Sequence, residues 1–285
     1  MPITVPEAFT EAGQLAAGKA GATRSLPRYL LSSALAGAFI GVAVVLLASV
    51  SGPLLAADSP WTKLVQGSVF GIALTLVVFA GAELFTGNAM VMAQGVAART
   101  VRTVDAFAVL AVSLVGNFFG AIGFAAIVHG GGSLNGAGAA FVAKAIEAKV
   151  ALSGPQLFWR AVLCNLLVCL ALWMASRTRS DAAKIAVLWW ALLAFVASGF
   201  EHSIANMTLF ALGVFEGSAT WGQLAANLVW TVPGNLVGGG VLVGLAYAWL
   251  GAPDGARSAR ASQRAAAGSG APDVSPAGGV LVGQQ

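Results

Sequence analysis

Charged side chains are scarce in this sequence. Asp, Glu, Lys and Arg make up 9% of its 285 residues, against about 25% in ordinary soluble domains. Hydrophobic residues make up 58%, and the mean hydropathy is +0.84. This balance excludes a soluble enzyme, a disordered chain and a nucleic-acid binder. Gly is frequent but shows no period of three, which excludes collagen. The composition therefore predicts an all-α polytopic membrane protein.

Motifs for catalysis are also missing. The chain has two His and two Cys, with no H-E-x-x-H and no Cys/His cluster that could hold zinc. It has no G-x-S-x-G of the kind that serine hydrolases use. We therefore expect no enzyme activity, no metal and no cofactor.

Long apolar stretches, in contrast, fill most of the chain. A helix that crosses a bilayer needs about 20 such residues. The sequence offers six stretches, at about 30–51, 62–97, 104–128, 157–176, 184–212 and 225–250. The predicted organisation is a cytoplasmic N-terminal segment (1–28), a six-helix transmembrane domain (29–250) and a disordered cytoplasmic tail (251–285).

The distribution of positive charge predicts the orientation. With both termini inside, eleven Lys and Arg residues fall on the cytoplasmic side and four fall outside. The four outer residues are Lys63, Lys144, Lys149 and Arg160. Cytoplasmic loops carry the excess of Lys and Arg in membrane proteins. We therefore expect both termini in the cytoplasm, with the chain in the inner membrane.

A polar motif occurs twice. The second and fifth stretches contain GAELFTGN (81–88) and GFEHSIAN (199–206), which both fit G-x-E-x4-N and lie 118 positions apart. A Gly-Asn pair follows at the same spacing, at 116–117 and 234–235. We interpret Asn117 and Asn235 as helix-packing residues. Three spans per copy make the second copy insert upside down, and inverted repeats of this kind build transporters.

The polar residues of the repeat lie at bilayer depth. A charge there is costly, and non-helical backbone survives only where protein or water covers it. The pattern therefore predicts an inverted repeat in which helices 2 and 5 are broken. The breaks expose half-helix N-termini, which favour anions.

These motifs resemble those of the formate/nitrite transporter family. The resemblance rests on FEHSIANM at 200–207, AELFTGN at 82–88, CNLLVCLALWMA at 164–175 and GNLVGGG at 234–240. It runs from about residue 15 to residue 250. HGGGSL at 129–134 and LWWALLAF at 188–195 are closest to the nitrite-transporting branch.

The resemblance implies an aquaporin-like homopentamer with one pore in each protomer. The resemblance also implies that the substrates are small monovalent anions such as nitrite, formate or hydrosulfide, together with protons. By position, the pore and substrate-binding residues are His202, Thr86, Asn165, Lys149 and Glu201. The residues that match the apolar constrictions are Phe70, Leu74, Leu84, Phe85 and Phe195.

The chemistry of permeation suggests a role for the histidine. A bare anion in a dry constriction is costly, and an ordinary imidazole titrates near pH 6.5. We hypothesise that Lys149 draws the anion in, that His202 stabilises or protonates it, and that the neutral acid then passes. In the alternative interpretation, His202 is a core residue, Glu201 is a structural carboxylate, and Asn165 links two helices. The rival function is an aquaporin-type neutral-solute channel, although no Asn-Pro-Ala occurs at either break.

Overall fold

The computed structural model describes residues 2–252, and that part of the chain is helical without any strand. The helices are α1 (Val5–Ala22), α2 (Leu26–Ala56), α3 (Thr62–Phe70), α4 (Ile72–Ala80), α5 (Phe85–Ala97), α6 (Thr103–Gly130), α7 (Gly136–Val150), α8 (Gly154–Ser176), α9 (Asp181–Ala197), α10 (Ser203–Phe215) and α11 (Trp221–Leu236). A π-helical segment, Val237–Leu245, then leads into α12 (Ala246–Gly251). The predicted tail lies outside the described residues from position 253 onward.

Five helical stretches in residues 2–252 are long and apolar enough to cross a membrane. They are Leu26–Ala56, Thr62–Ala80, Thr103–Gly130, Gly154–Ser176 and Trp221–Gly251. The predicted fifth stretch contains two shorter helices, α9 and α10, so the count of six spans stays a prediction. Large apolar side chains such as Phe107, Phe119 and Ile127 are exposed on the outside of the helices.

Helical structure is interrupted at both polar motifs. α4 ends at Ala80 and α5 begins at Phe85, while α9 ends at Ala197 and α10 begins at Ser203. Each interruption contains a glycine with a positive φ, Gly81 at 77° and Gly199 at 71°. Glycine adopts this backbone conformation without the steric cost that a Cβ imposes. We call α5 and α10 the half-helices, since each begins inside a predicted span.

Two pairs of long helices pack closely through glycines at matching positions. A Cβ on Gly120 of α6 would collide with the Ala34 carbonyl of α2, and one on Gly238 would collide with the Val162 carbonyl of α8. Gly116 and Gly234 approach α2 and α8 in the same way, near Ser33 and Ala161 respectively. In each contact the α8 residue lies 128 positions after its α2 counterpart. The inverted repeat is thus visible in the packing.

The N-terminal segment is ordered against one end of the helix bundle. Ile3 and Arg177 exchange two hydrogen bonds, at 2.9 and 3.0 Å. Glu11 of α1 forms an ion pair with Arg179. The Thr100 hydroxyl donates to the Gly13 carbonyl at 2.8 Å. These contacts hold α1 against the half-helix α5 and bring Lys19 close to the first interruption, between α4 and α5.

Candidate functional site

Two buried asparagines hold the interrupted backbone in place. The Asn117 side chain accepts from the Phe85 N–H at 2.9 Å and donates to the carbonyls of Ser33 and Glu83, at 2.7 and 2.9 Å. An amide can satisfy several backbone groups in this way because it carries both donors and an acceptor. Asn117 therefore caps α5 and links it to α2 and α6.

Asn235 makes the same three contacts in the second repeat. Its side chain accepts from the Ser203 N–H at 2.9 Å and donates to the carbonyls of Ala161 and Glu201, at 2.8 and 3.0 Å. The two asparagines thus cap the half-helices, a role more specific than the helix packing that the sequence suggested. The half-helix N-termini are consequently fixed, and N-termini of helices carry partial positive charge.

The two half-helices meet at Thr86 and His202. Thr86 Oγ1 lies 3.2 Å from His202 Nε2, and both residues are buried. His202 Nδ1 accepts the Ala205 N–H at 3.2 Å and so caps α10. Because an accepting nitrogen carries no proton, the neutral ring has its proton on Nε2, from which it donates to the threonine oxygen. The threonine hydroxyl proton is then free to bond to another group.

Asn165 lies directly behind this contact. Its side-chain amide donates to the carbonyls of Thr86 and Asn235, at 3.0 and 2.6 Å. The Cys169 thiol also donates to the Thr86 carbonyl, at 3.3 Å. Asn165 thus joins the two repeats and holds the backbone of Thr86, and both cysteines of the chain are free thiols.

Aromatic rings stack on one side of the histidine. Phe195 lies nearly parallel to the His202 ring, with centroids 6.1 Å apart, and meets the edge of Phe70 at 5.7 Å. Leu84 lies on the other side of the Thr86–His202 contact, in the cavity beside α1. Leu74 and Phe85 are equally buried but line neither of the two cavities described below. The structure therefore brings three of the five predicted constriction residues to a cavity.

An ion pair lies beside the histidine. Lys149 of α7 donates to both oxygens of the Glu201 carboxylate at 2.8 Å, and Asn206 donates to the same group at 2.8 Å. The glutamate side chain is 3% exposed and the lysine side chain 19%. We call these three residues the outer cluster. The carboxylate is held by side chains and not by loop N–H groups, so the positive charge of Lys149 is compensated.

The same arrangement occurs at the first interruption. Lys19 of α1 donates to the Glu83 carboxylate at 2.7 Å, Asn88 donates to it at 3.1 Å, and the Tyr29 hydroxyl at 2.9 Å. We call these four residues the inner cluster. Sequence reasoning missed Lys19 and Tyr29, although the repeat already placed Glu83 and Asn88 opposite Glu201 and Asn206. The repeated motif could not reveal Lys19, because this lysine lies on α1, a helix outside the motif.

Two cavities approach the Thr86–His202 contact. The inner cavity, about 690 Å³, is lined by α1 and α5 and reaches Leu84 and Gly87. The outer cavity, about 350 Å³, is lined by α7 and α10 and reaches His202. We call them inner and outer because the predicted orientation places the first on the cytoplasmic side and the second on the opposite side of the membrane. The threonine and histidine therefore lie between two spaces, each bordered by one of the ion clusters.

Comparisons with known proteins agree with this architecture. The family model for formate/nitrite transporters matches residues 7–249. The nitrite transporter NirC of Salmonella typhimurium is 44% identical over 238 residues, covering 82% of this chain and 86% of that protein. A probable formate transporter of Methanothermobacter thermautotrophicus is 39% identical and covers 78% of this chain and 88% of that protein.

Two solved structures share the fold. One is described as an FNT family ion channel, with a TM-score of 0.80 and 40% identity, covering 87% of this chain and 99% of that chain. The other is a pentameric formate channel with formate bound, with a TM-score of 0.70 and 29% identity, covering 80% of this chain and 98% of that chain. The family model, the sequence relatives and the solved structures therefore agree: this chain is a multi-pass membrane protein and belongs to the formate/nitrite transporter family.

Proposed function

We propose that the protein transports small monovalent anions, nitrite foremost, through a pore in each protomer. The observation that carries the proposal is the buried Thr86–His202 contact between two half-helix N-termini, with a cavity on either side. Relatives named nitrite transporters, at 44% identity, support nitrite as the substrate. Formate is the alternative, because relatives and a solved structure of the family carry formate in their descriptions.

The anion is stabilised by dipoles and hydrogen bonds near the centre of the pore. The N-termini of α5 and α10 converge there, and such termini favour negative charge. The Thr86 hydroxyl has a proton to offer once His202 Nε2 donates to its oxygen. Asn165 fixes the threonine backbone and serves as a positioning residue. Phe195 and Leu84 border the dry passage on the two sides.

Passage of the anion through the apolar constrictions requires a proton. A bare charge in such a space is very costly, and uptake of one proton converts nitrite or formate into its neutral acid. His202 caps α10 through Nδ1, so protonation of this nitrogen must displace the Ala205 N–H. We propose that the ring accepts this proton only when an anion is near, and then passes the Nε2 proton through Thr86 to the anion. The ring is then neutral with its proton on Nδ1, and the neutral acid moves on. The resting form returns when Nε2 takes up a proton from water and Nδ1 releases its own, so that Nδ1 again accepts the Ala205 N–H.

The proposal extends to assembly and orientation. We propose a homopentamer in the inner membrane with both termini in the cytoplasm. The pentameric formate channel of the same fold supports the assembly, and the excess of Lys and Arg on one side supports the orientation. We also propose that the transmembrane domain extends over residues 29–250, with a cytoplasmic segment before it and a cytoplasmic tail after it.

The decisive experiment measures nitrite and formate flux into proteoliposomes over a pH series, with the wild type and His202→Asn. Nitrite flux in the wild type should rise toward acidic pH, because a proton accompanies the anion. His202→Asn should lose this dependence and most of the flux. A wild type that carries water or glycerol, but neither anion, contradicts the proposal in favour of a neutral-solute channel. An unchanged pH profile in the variant contradicts the proton role alone.

A further inference from the structure

The charges around the outer cavity do not cancel. Three cations line it, namely Lys144, Lys149 and Arg160, whereas Glu201 is the only acidic residue that lines it among the described residues. Lys149 and Glu201 neutralise one another through two bonds of 2.8 Å. The excess positive charge of this cavity therefore comes from the other two cations.

Of these two cations, Arg160 is the one that contacts the interruption. Its backbone carbonyl accepts the Glu201 N–H at 3.2 Å, and its guanidinium reaches the Gly199 carbonyl at 3.4 Å. Within residues 2–252 its side chain makes no ion pair, and neither does that of Lys144. Lys144 is exposed on α7, while Arg160 is partly covered. A partly covered charge is screened less by salt and solvent than an exposed one.

The inverted repeat identifies the counterpart of Arg160 at the inner cavity. The Glu201 N–H donates to the Arg160 carbonyl at 3.2 Å, and the Glu83 N–H donates to the Ser32 carbonyl at 3.3 Å. Asn235 and Asn117 bond to the next residues, Ala161 and Ser33. These positions keep the offset of 128 found in the helix packing. Serine therefore stands at the inner cavity where arginine stands at the outer one.

The inner cavity is balanced in charge. Lys19 and Lys184 line it, and so do Glu11 and Glu83. The two mouths of a nearly symmetric pore thus differ in net charge, and Arg160 opposite Ser32 is the difference at equivalent backbone positions. A cleft lined by one sign of charge raises the local concentration of the opposite ion and speeds its association.

We infer that Arg160 recruits the anion at the outer mouth, so that the anion is concentrated more strongly at the outer mouth than at the inner one. This inference rests on the proposed function and adds to it a residue and the mouth at which that residue acts. Lys149 is then a positioning residue that holds Glu201, and Lys144 adds a weaker, more screened contribution. Arg160 acts on the concentration of anion at the mouth, so it changes half-saturation and leaves the maximal rate unaltered.

The test measures initial nitrite flux from each side of oriented proteoliposomes that contain the full chain. A cleavable tag at the C-terminus reports the orientation by protease access. Arg160→Gln should raise the half-saturating nitrite concentration about threefold to tenfold from the side opposite the tag. The maximal rate from that side should not change. At low nitrite concentration the flux from the tag side should fall by the same factor, because the permeability of a passive pathway is equal in both directions. Arg160→Lys should behave as the wild type, because it keeps the charge.

Lys63→Gln is the matched control, since Lys63 has the same charge and predicted side but does not line the outer cavity. The effect of Arg160→Gln should vanish in about 1 M salt, where the Debye length is about 3 Å. A second measurement needs no variant. Wild-type flux should fall more steeply when salt is added on the outer side of the membrane than when it is added on the inner side.

Three outcomes overturn the inference. They are an equal effect of salt added on either side, a half-saturating concentration that Arg160→Gln raises equally from both sides, and a defect no larger than that of Lys63→Gln. In each of these the wild type still carries nitrite, so the proposed function stands. A wild type without any anion flux contradicts the proposed function itself.

Discussion

At the scale of single residues, the most informative contact is the one between Thr86 and His202. The histidine nitrogen Nδ1 is occupied by the Ala205 N–H, which directs the other nitrogen and its proton toward the threonine oxygen. The threonine is therefore a partner of the ring and, in the proposed mechanism, also a donor toward the anion. Neither role is visible in a sequence, because both depend on which ring nitrogen faces which neighbour.

Thr86→Val should abolish most of the nitrite flux. Valine has nearly the same shape but leaves the buried His202 Nε2–H without a partner, at a cost of about 1–3 kcal/mol. It also removes the hydroxyl that is offered to the anion. We expect a loss of flux on the order of tenfold or more, measured in proteoliposomes. Thr86→Ser retains the hydroxyl and is the control. A Thr86→Val variant that keeps its flux while Thr86→Ser loses it would show that methyl packing, and not hydrogen bonding, matters here.

Glu201→Gln should destabilise the protein through Lys149. The lysine would keep its charge in a place where its side chain is 19% exposed and would lose the one anionic partner that it has within residues 2–252. We expect a decrease in unfolding free energy of about 2 kcal/mol, because a poorly solvated ion without a partner is costly. Thermal unfolding in detergent measures this. The double variant Glu201→Gln/Lys149→Gln should recover part of the loss, and a double variant less stable than the single one would refute the ion-pair account.

At the scale of helices, the half-helices depend on caps from neighbouring elements. Each capping asparagine satisfies one N–H and two carbonyls of buried backbone, which neither half-helix could satisfy by itself. Unpaired backbone groups at bilayer depth are strongly unfavourable. The interruptions are consequently stable only because α6 and α11 supply these amides.

Asn235→Leu should therefore lower stability more than an ordinary core substitution. Three buried backbone groups lose their partners, and each costs about 1–3 kcal/mol when unsatisfied. We expect a clear fall in the thermal midpoint in detergent, together with loss of transport. Asn227→Leu is a comparison in a buried position: the Asn227 side-chain oxygen accepts from the side chains of Asn206 and Thr231, but the amide bonds no backbone group of an interruption. If both variants melt alike, the capping role assigned to Asn235 is wrong.

At the scale of the whole molecule, the exposed apolar surface fits a protein surrounded by lipid and by copies of itself. Phe107, Phe119 and Ile127 are each more than 60% exposed in a single chain. Such side chains are stable outside the bundle only in contact with acyl chains or with another subunit. The proposed pentamer would cover part of this surface.

Native mass measurement in detergent tests the assembly. We expect one species with five times the chain mass of 28.6 kDa, and no monomer at working concentration, because the bundle exposes an apolar surface that detergent covers less specifically than another subunit does. Chemical cross-linking in native membranes is the control against detergent effects. A monomer or dimer in both measurements would contradict the proposed assembly.

The sequence by itself determined the class of protein, its family and the place of the two polar motifs, because these follow from composition and from residues repeated at a fixed spacing. The family prediction is confirmed by the matched relatives, and Thr86 and His202 lie in contact where the repeats meet.

Only the tertiary structure decided which charged side chains form ion pairs and which backbone groups the asparagine amides bind. Lys19 reaches Glu83 from an N-terminal helix 64 residues away, and Asn117 and Asn235 bond across three helices. The pairing of Lys149 with Glu201, which leaves Arg160 without an ion pair in the part of the chain that the structure describes, is likewise a matter of distances in space. Such partners are far apart in the chain, and no local pattern specifies which of several like charges will be neutralised.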